Sequence, residues 1–354
     1  MAVRIGFIGV GGIAASHLAN LVRMPEAEVV ALCDISAEQI EATRERVNRR
    51  LAEQNAEARL DGGAFTSIDT MLRNERLDAV YLCLPPFAHG APEEAVIAAG
   101  LPFLVEKPVA LELPVAARIL AAAQKRGLLT ATGYQNRYTA ATQKARQLLA
   151  DRIIGMALVM RFGSTPGKGW YRIQSKSGGQ LIEMATHQVD LLRYLVGEVK
   201  TVYAAGGTRI NHLEQPDYDI LDVNCMTLTF ENGAVANFAN NFISGHGAPA
   251  SAKGLHIFCN DLTLSLDSGL TVITQGGTEE LPREGNAMAL EDAAFVKAVG
   301  EGRREGILSD YHNGVRSLAV TLAGERSART GRVIDVAQLL ADEAPVALPS
   351  AKSA

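Results

Sequence analysis

The chain of 354 residues is poor in cysteine and in aromatic residues. Its four cysteines, Cys33, Cys83, Cys225 and Cys259, are far apart. They therefore form neither the close pairs of a zinc site nor the framework of a small disulfide-rich domain. We expect all four to be reduced residues of a hydrophobic core, and we expect no metal site.

Long apolar segments and an excess of positive charge are also missing. No uncharged apolar run approaches the ~20 residues that a membrane-spanning helix needs. A formal net charge of −5 argues against nucleic-acid or anionic-membrane binding, because both require a basic face. The chain enters the strand pattern Ile5–Ile8 with no charged leader before it. We therefore expect a cytoplasmic protein whose partner is a small molecule.

Strand and helix patterns alternate through residues 1–133. The strand patterns include Val3–Ile8, Glu28–Cys33, Ala79–Leu84 and Phe103–Val105. This alternation predicts right-handed βαβ units that build a parallel sheet. Because the chain is too long for one typical domain, we assign 1–133 to a first, Rossmann-type domain.

The pattern changes after residue 133. Six short strand patterns follow between residues 199 and 274, and Glu231-Asn232-Gly233 predicts a hairpin with a type I′ turn. Helical patterns cover Thr142–Leu149, Gln180–Val196, Ala289–Val299 and Asn313–Thr330. The predicted fold class is therefore α/β, with an α+β domain at 134–342 that contains a large, mostly antiparallel open sheet. The Ala/Pro/Ser-rich segment 343–354 is expected to be a flexible tail.

The stretch GFIGVGGIA, residues 6 to 14, contains a candidate phosphate-binding loop. Gly9, Gly11 and Ala14 match the G-x-G-x-x-G/A pattern between a strand and a helix. Gly9 permits the tight turn, Gly11 lets a pyrophosphate approach the backbone, and Ala14 allows close helix–strand packing. Gly12 and Ile13 would present free N–H groups to the phosphates. A glycine-rich turn can also be purely structural.

Asp34 favours the dinucleotide interpretation. It ends the second strand pattern, 20 residues after Ala14, where a carboxylate can accept hydrogen bonds from the adenosine ribose. The carboxylate would repel a 2′-phosphate, so the sequence predicts NAD, with NADP as the alternative. The structural alternative is that Asp34 caps the following helix.

The stretch VEKPVAL, residues 105 to 111, follows a predicted parallel strand. Open α/β sheets bind ligands at this edge, and Pro108 keeps Lys107 out of helical conformation. Lys107 is therefore a candidate functional residue, although a Glu-Lys-Pro sequence is also common in surface loops.

The stretch SGGQLIEMATHQVDLLRYLVG, residues 177 to 197, predicts one helix. Glu183 and His187 are four apart and would share a helix face, with Asp190 three further on. A surface Glu/His pair is one interpretation and a metal site another. We disfavour the metal because no fourth ligand is identifiable.

Five stretches follow one another in a fixed order: GVGGIAASH, PPFAHGAPEEAVIAAGLPFLVEKPVA, GYQNRY, GGQLIEMATHQVD, and FVKAVGEG with GVRSLAVTLAGERSARTG. In their order and spacing the chain resembles the Gfo/Idh/MocA oxidoreductase family, which includes inositol dehydrogenases and glucose–fructose oxidoreductase. The resemblance covers nearly the whole chain. It implies an NAD(P)-dependent dehydrogenase that acts on the CH–OH group of a sugar, polyol or sugar derivative.

The resemblance also implies roles for three residues. Lys107 would be a catalytic or substrate-polarising group, His187 the proton-transfer residue, and Glu183 its orienter. An imidazole titrates near neutral pH and suits this transfer, while an ammonium group suits alkoxide stabilisation. The family usually has Asp at the position of Glu183, whose extra methylene moves the carboxylate by about 1.5 Å. Glu183 would therefore either still hold the imidazole or contact the substrate instead.

Further candidates are less specific. Pro85, Glu106 and Gln135 would line the cofactor site, while Arg137 would contact substrate or hold the domains together. Trp170 could contact the C–H face of a sugar ring, or it could simply pack. An open sheet needs a cover, which predicts a homodimer or homotetramer. The alternatives are a keto-sugar or carbonyl reductase that uses NADPH, and a non-catalytic dinucleotide-binding sensor.

Overall fold

The computed structural model describes residues 1–248, 253–282, 284–344 and 346. The chain divides into two compact units, Met1–Tyr138 with Asn286–Gly314, and Thr139–Gly285 with Val315–Ala354. The first unit thus includes segment 286–314, which the sequence pattern assigns to the second domain. Among the described residues, no helix is long and apolar enough to span a membrane.

The first unit begins with alternating strands and helices. In chain order they are β1 (Val3–Ile8), α1 (Gly12–Leu21), β2 (Ala27–Cys33), α2 (Ala37–Glu53), β3 (Gly63–Phe65), α3 (Ile68–Asn74), β4 (Ala79–Leu82), α4 (Ala91–Ala98), β5 (Phe103–Val105), α5 (Leu113–Lys125) and β6 (Thr130–Thr132). The strands form one sheet in the order β3-β2-β1-β4-β5-β6. All its pairs are parallel, and the predicted Rossmann sheet is confirmed.

The remaining elements follow in chain order. They are α6 (Ala140–Leu149), β7 (Ile154–Phe162), α7 (Gln174–Ser177), α8 (Gln180–Glu183), α9 (Thr186–Leu195), β8 (Val199–Gly207), β9 (Val223–Phe230), β10 (Val235–Asn241), β11 (Gly254–Cys259), β12 (Thr263–Leu266), β13 (Gly269–Thr274), β14 (Gly277–Pro282), α10 (Ala287–Glu301), α11 (Tyr311–Thr330), β15 (Ile334–Asp335) and α12 (Val336–Glu343). Short 3₁₀ turns lie between several of them.

Helix α10 belongs to the first unit because its apolar face is buried there. Phe295 and Val296 lie in one hydrophobic cluster with Ile5, Phe7 and Leu104 of the parallel sheet. At about 25 cal/mol per Å² of buried apolar surface, burial of the aromatic side chain of Phe295 alone stabilises the packing of α10 on the first unit by a few kcal/mol.

The second unit is built on a nine-stranded sheet with the order β14-β13-β12-β11-β7-β10-β9-β8-β15. Only the β7–β10 pair is parallel among its described pairs, so the mostly antiparallel sheet is confirmed. Burial alternates along β9, where Asn224, Met226 and Leu228 are buried and Cys225 and Thr227 are exposed. One face of the sheet is therefore covered and the other is open.

Several second-unit elements are missing from the sequence prediction: β7, β14, β15 and α12. Strand β7, with the sequence IGMALVMRF, carries no apolar–polar alternation, and its Met, Ala and Leu residues favour helix. Its place in the middle of the sheet comes from pairing with β10 and β11. Of the predicted tail, Glu343 ends α12, whereas residues 345 and 347–354 lie outside the described residues.

The predicted hairpin joins β9 to β10 and pairs Thr229 with Val235. Its predicted turn type is wrong, because of the three turn residues Gly233 alone has a positive φ, at 90°, and type I′ needs two. Gly233 N donates to Phe230 O over 3.1 Å. Asn232 keeps a negative φ and uses its side chain instead, donating to Val196 O over 2.7 Å.

The cysteine prediction is half right. All four cysteines are free, and Cys33 and Cys83 are buried, but Cys225 is exposed and Cys259 is partly exposed. Cys225 lies on the open face of the sheet, because its position in β9 alternates with buried Asn224 and Met226. An apolar strand pattern cannot reveal which face is covered.

Candidate functional site

The glycine-rich loop joins β1 to α1. Gly9 has a φ of 81°, and a Cβ there would lie 2.6 Å from Cys83 O, so only glycine fits. Gly11 precedes α1 without a side-chain cap, and no acidic residue occupies the first turn. Ala14 is buried against the sheet, while Gly12 and Ile13 are exposed. The N-terminal amides of α1 are thus available to an anion, as a dinucleotide phosphate requires.

Asp34 follows β2 and is tied to this loop. Its Oδ2 accepts from Val10 N over 3.0 Å, and its Oδ1 accepts from Ser36 N over 3.2 Å. The cap of α2 is Ser36, which accepts from Gln39 N, so Asp34 does not serve as the cap. Ile35 beside it is 97% exposed. The carboxylate is therefore held beside the loop, as a ribose-binding group would be.

Arg46 of α2 also reaches the loop, and the sequence analysis missed it. Its Nη2 donates to Gly11 O over 3.3 Å and to Thr43 Oγ1 over 3.3 Å. Arg46 lies about one helical turn after Thr43, whose hydroxyl donates to Val10 O over 2.6 Å. No local pattern identifies such a cation, because α2 is charge-rich along its length.

The other first-unit candidates follow the next strands of the sheet. Pro85 follows β4, Glu106 and Lys107 follow β5, and Gln135 follows β6. These positions lie at the carboxyl edge, where open parallel sheets bind ligands. Lys107 and Gln135 are partly exposed, whereas Glu106 is buried and its Oε2 accepts from Lys107 N over 3.1 Å.

Glu106 is hydrogen-bonded to a buried histidine that the sequence analysis did not single out. His17 of α1 lies 2.6 Å from Asp292 Oδ1 through Nδ1 and 3.1 Å from Glu106 Oε1 through Nε2. Asp292 belongs to α10 and also accepts from Asn20 over 2.9 Å. Gly133 leaves room for the Glu106 carboxylate, since a Cβ at this position would lie 2.7 Å from Glu106 Oε1.

This arrangement favours a protonated imidazole. Burial alone would lower the pKa of His17, but the charges and hydrogen bonds of Asp292 and Glu106 outweigh burial and raise it well above its usual value. Burial also raises the pKa of neighbouring Tyr81 and Cys83 well above their usual values. A cation between two carboxylates therefore supports the segment that carries Lys107.

Arg137 and Trp170 are less clearly placed for substrate. Arg137 is buried, and its Nη1 donates to Leu308 O over 2.6 Å and to Asn313 Oδ1 over 3.4 Å. These bonds favour a structural role inside the first unit. Trp170 is partly exposed and stacks on Tyr171 with the ring centroids 3.9 Å apart.

Glu183 and His187 belong to the second unit, and the predicted single helix is wrong there. Helix α8 ends at Glu183, and α9 starts at Thr186 just before His187. Ala185 N donates to Gln180 O over 3.0 Å, five residues back, so the chain makes one wide turn between the helices. Such local widening is common at functional sites. Glu183 is 4% exposed, and His187 is partly exposed.

Asp190, three residues after His187, is buried against the last long helix. It is 1% exposed, and its Oδ1 accepts from Ser317 Oγ over 3.0 Å and lies 3.9 Å from Arg193 Nη1. It therefore packs α9 against α11. Across the described part of the chain, no group of three or more His, Cys, Asp or Glu side chains is arranged to hold a metal ion.

Comparison with known proteins gives two family-level matches. Residues 3–134 match the "Oxidoreductase family, NAD-binding Rossmann fold" and residues 142–265 match the "GFO/IDH/MocA C-terminal domain". The chain is 26% identical to the 1,5-anhydro-D-fructose reductase of Ensifer adhaerens over 94% of this chain and 98% of that protein. It is 25% identical to the myo-inositol 2-dehydrogenase of Thermotoga maritima over 68% of each.

A solved structure supports the fold. The crystal structure of a putative NADPH-dependent oxidoreductase from Desulfitobacterium hafniense superposes with a TM-score of 0.81 at 19% identity, over 96% of this chain and 99% of that one. At this identity the match concerns the arrangement of strands and helices alone.

Proposed function

The chain belongs to the Gfo/Idh/MocA oxidoreductase family, and on this basis we propose that it is an NAD-dependent dehydrogenase of a secondary hydroxyl group in a sugar, polyol or sugar derivative. The observation that carries the proposal is the position of Lys107, two residues after the end of β5 at the carboxyl edge of an NAD-binding sheet. A partly exposed lysine at this edge is suited to polarise a substrate oxygen.

The reaction removes a hydride from the carbinol carbon and a proton from its oxygen, and leaves a carbonyl group. NAD, when bound, supplies the hydride acceptor. We assign the proton to His187 and the orientation of its ring to Glu183. Lys107 stabilises the negative charge that develops on the substrate oxygen. Asp34 and the amides of α1 hold the adenosine ribose and the pyrophosphate.

The substrate class is supported by the relatives. One is named for a reductase of an anhydro-sugar and one for a dehydrogenase of a cyclic polyol. The partly exposed Trp170–Tyr171 stack offers a ring face of the kind that packs on a sugar.

A panel of sugars, polyols and sugar acids, followed by NADH absorbance with the full chain and NAD, tests the proposal. We expect NADH formation with at least one polyhydroxylated substrate and none with simple alcohols. The proposal fails if the protein binds NAD but oxidises no member of the panel and reduces none of the matching ketones.

The second candidate is a keto-sugar or carbonyl reductase. It is favoured by the near-full-length relative that is named a reductase. Initial rates in both directions, with NAD, NADH, NADP and NADPH, distinguish the two candidates. A reductase should show a carbonyl kcat/KM well above the alcohol value at neutral pH.

Cofactor preference should depend on Asp34. Replacing Asp34 with Arg should raise the ratio of kcat/KM with NADP to that with NAD by about 10-fold or more, because a guanidinium pairs with the 2′-phosphate that a carboxylate repels. Steady-state rates with both cofactors measure this ratio. Asp34→Asn keeps the shape and removes the charge as a control. An unchanged ratio in Asp34→Arg would remove Asp34 from the ribose site.

We further propose that the open face of the nine-stranded sheet associates with a second copy of the chain. Tyr203, Val235, Met156 and Ile273 on this face are each between 39% and 45% exposed. On the four central strands, β11, β7, β10 and β9, the open-face positions carry no Asp, Glu, Lys or Arg. An uncharged sheet face of this kind is typical of a stable homo-oligomer interface.

A charge on this face should disrupt the oligomer. Tyr203→Glu should convert the dimer or tetramer to monomers, because association would bury an unpaired carboxylate. Light scattering after size-exclusion chromatography measures the mass, with exposed Lys297→Glu on α10 as the matched charge control. A wild-type chain that is monomeric at micromolar concentration contradicts the proposal.

A further inference from the structure

A polar row crosses the covered face of the second unit's sheet. Arg161 of β7 pairs in register with Asn240 of β10, which pairs with Asn224 of β9. On β10 the alternate positions before Asn240 are buried Phe238 and Ala236, so the row faces the same side as the hydrophobic core. Near the ends of these strands, polar side chains therefore occupy positions that apolar core residues hold further along the same face.

Arg161 is the cation of this row, and although the charge of Glu183 acts on it, no described residue forms an ion pair with it. Its Nη1 donates to Asn240 Oδ1 over 3.3 Å, and its guanidinium lies 5.3 Å from the ring centroid of Phe242. Within the residues that the structure describes, no carboxylate lies within ion-pair distance of Arg161. A guanidinium has five N–H donors, so most of this donor set remains available to a ligand.

Arg161 lies beside the wide turn that separates Glu183 from His187. Met184, between these two residues, packs against the cluster of Tyr218, Ile220 and Phe242, and Phe242 is the ring beneath Arg161. Burial lowers the pKa of Arg161, while the charge of Glu183 counteracts this. Arg161 and the proposed catalytic pair therefore lie at the same end of the sheet.

The neighbouring amides point to a ligand rich in hydroxyl groups. Gln180, Asn224 and Asn240 are at most 3% exposed. Asn224 Nδ2 donates to Gln180 Oε1 over 3.0 Å, but Gln180 Nε2, Asn224 Oδ1 and Asn240 Nδ2 have no partner among the described residues. Buried polar atoms without hydrogen bonds are costly. Hydroxyl groups, which both donate and accept, would satisfy all three.

We propose that Arg161 and the amides of Gln180, Asn224 and Asn240 form a substrate subsite that selects a sugar acid, with the guanidinium binding the substrate carboxylate. The proposal rests on the dehydrogenase function and names its substrate class, an aldonic or uronic acid. A single guanidinium with amide neighbours matches one carboxylate, which it binds through two parallel N–H···O bonds. A diphosphate would need additional cations, and the row contains no second one.

Paired probes that differ in one charge test the subsite. D-Glucuronate is compared with D-glucuronamide, and D-gluconate with sorbitol, using the full chain with NAD. We expect the acid of each pair to have the higher kcat/KM in the wild type. Arg161→Gln should lower kcat/KM for the acids by about 10- to 100-fold and for the neutral probes by less than about 3-fold. Arg161→Lys should recover part of the loss.

The control is Arg152→Gln, which removes another arginine of the same unit whose partner is Asp261, over 3.1 Å. It should leave the acid preference unchanged. Asn240→Asp is a second test, because a carboxylate next to the guanidinium should replace that of the ligand and lower the acid preference without removing Arg161. Equal losses for acid and neutral probes in Arg161→Gln would mean that Arg161 only balances Glu183, and would overturn the proposal.

Direct binding separates this proposal from the dehydrogenase function. Calorimetry of D-glucuronate with the NADH-loaded protein should give saturable binding that Arg161→Gln weakens by the same factor. Binding of this kind without NADH formation from any panel substrate would sustain the acid subsite while the dehydrogenase function fails. Oxidation of neutral polyols without any binding or oxidation of the acids would overturn the subsite and leave the dehydrogenase function intact.

Discussion

Replacing His187 with alanine should lower kcat by about 10²-fold or more, because a positioned proton acceptor contributes a factor of this size. Binding of NAD should be unchanged, since His187 belongs to the second unit and the glycine-rich loop to the first. Stopped-flow turnover and a fluorescence titration of NADH measure the two quantities. His212→Ala, at an exposed position of the same unit, is the matched control.

The same variant can separate proton transfer from substrate positioning. If His187 accepts the proton, the loss should fall on kcat, and the pH dependence of kcat on the acid side should disappear in His187→Ala. A variant with near-normal kcat and a raised KM would place His187 among the binding residues instead. Lys107→Met, with exposed Lys125→Met as its control, should show a loss of similar size without changing this pH dependence.

The glycine-rich loop and the position of Asp34, which form the proposed cofactor half of the site, are predictable from the sequence because their determinants are local. Gly9, Gly11 and Ala14 act within one strand–turn–helix unit, and the steric demand at Gly9 concerns the neighbouring strand. Asp34 lies at the end of the next strand and bonds back to Val10. Strand–helix alternation also predicts the six-stranded parallel sheet, since βαβ units have one favoured hand.

The features that escape the sequence depend on distant contacts. Nothing in the sequence around His17 indicates its role, because its partner Asp292 lies 275 positions later in the chain. Arg161 lies in β7, whose apolar sequence gives no strand alternation, and its partners come from β10. The break between Glu183 and His187 follows a regular helical pattern in the sequence. Periodicity reports which residues can share a face, but it does not report how the backbone is packed.

Replacing His17 with glutamine should destabilise the first unit by about 3–5 kcal/mol, because it leaves the buried carboxylates of Glu106 and Asp292 without their shared cation. The loss should appear in urea unfolding of the full chain as a lower midpoint. The variant should also lower kcat in the fraction that remains folded, since Glu106 Oε2 accepts from Lys107 N over 3.1 Å. Asn20→Ala, which removes only the bond to Asp292 Oδ2, should cost about 1 kcal/mol.

The pH dependence of unfolding gives the readout that separates an imidazolium from a neutral histidine. Because the pKa of His17 is raised in the folded chain, its contribution to stability is complete below the unfolded value near ~6.5 and is lost as pH rises through the folded value. Between about pH 7 and pH 7.5, where cysteine and tyrosine of the unfolded chain are still almost entirely protonated, the wild type should lose stability at up to ~1.4 kcal/mol per pH unit from this group. His17→Gln should lack that component. Parallel stability–pH curves for the two proteins would mean that the imidazole is neutral, and that the two carboxylates are held by hydrogen bonds alone.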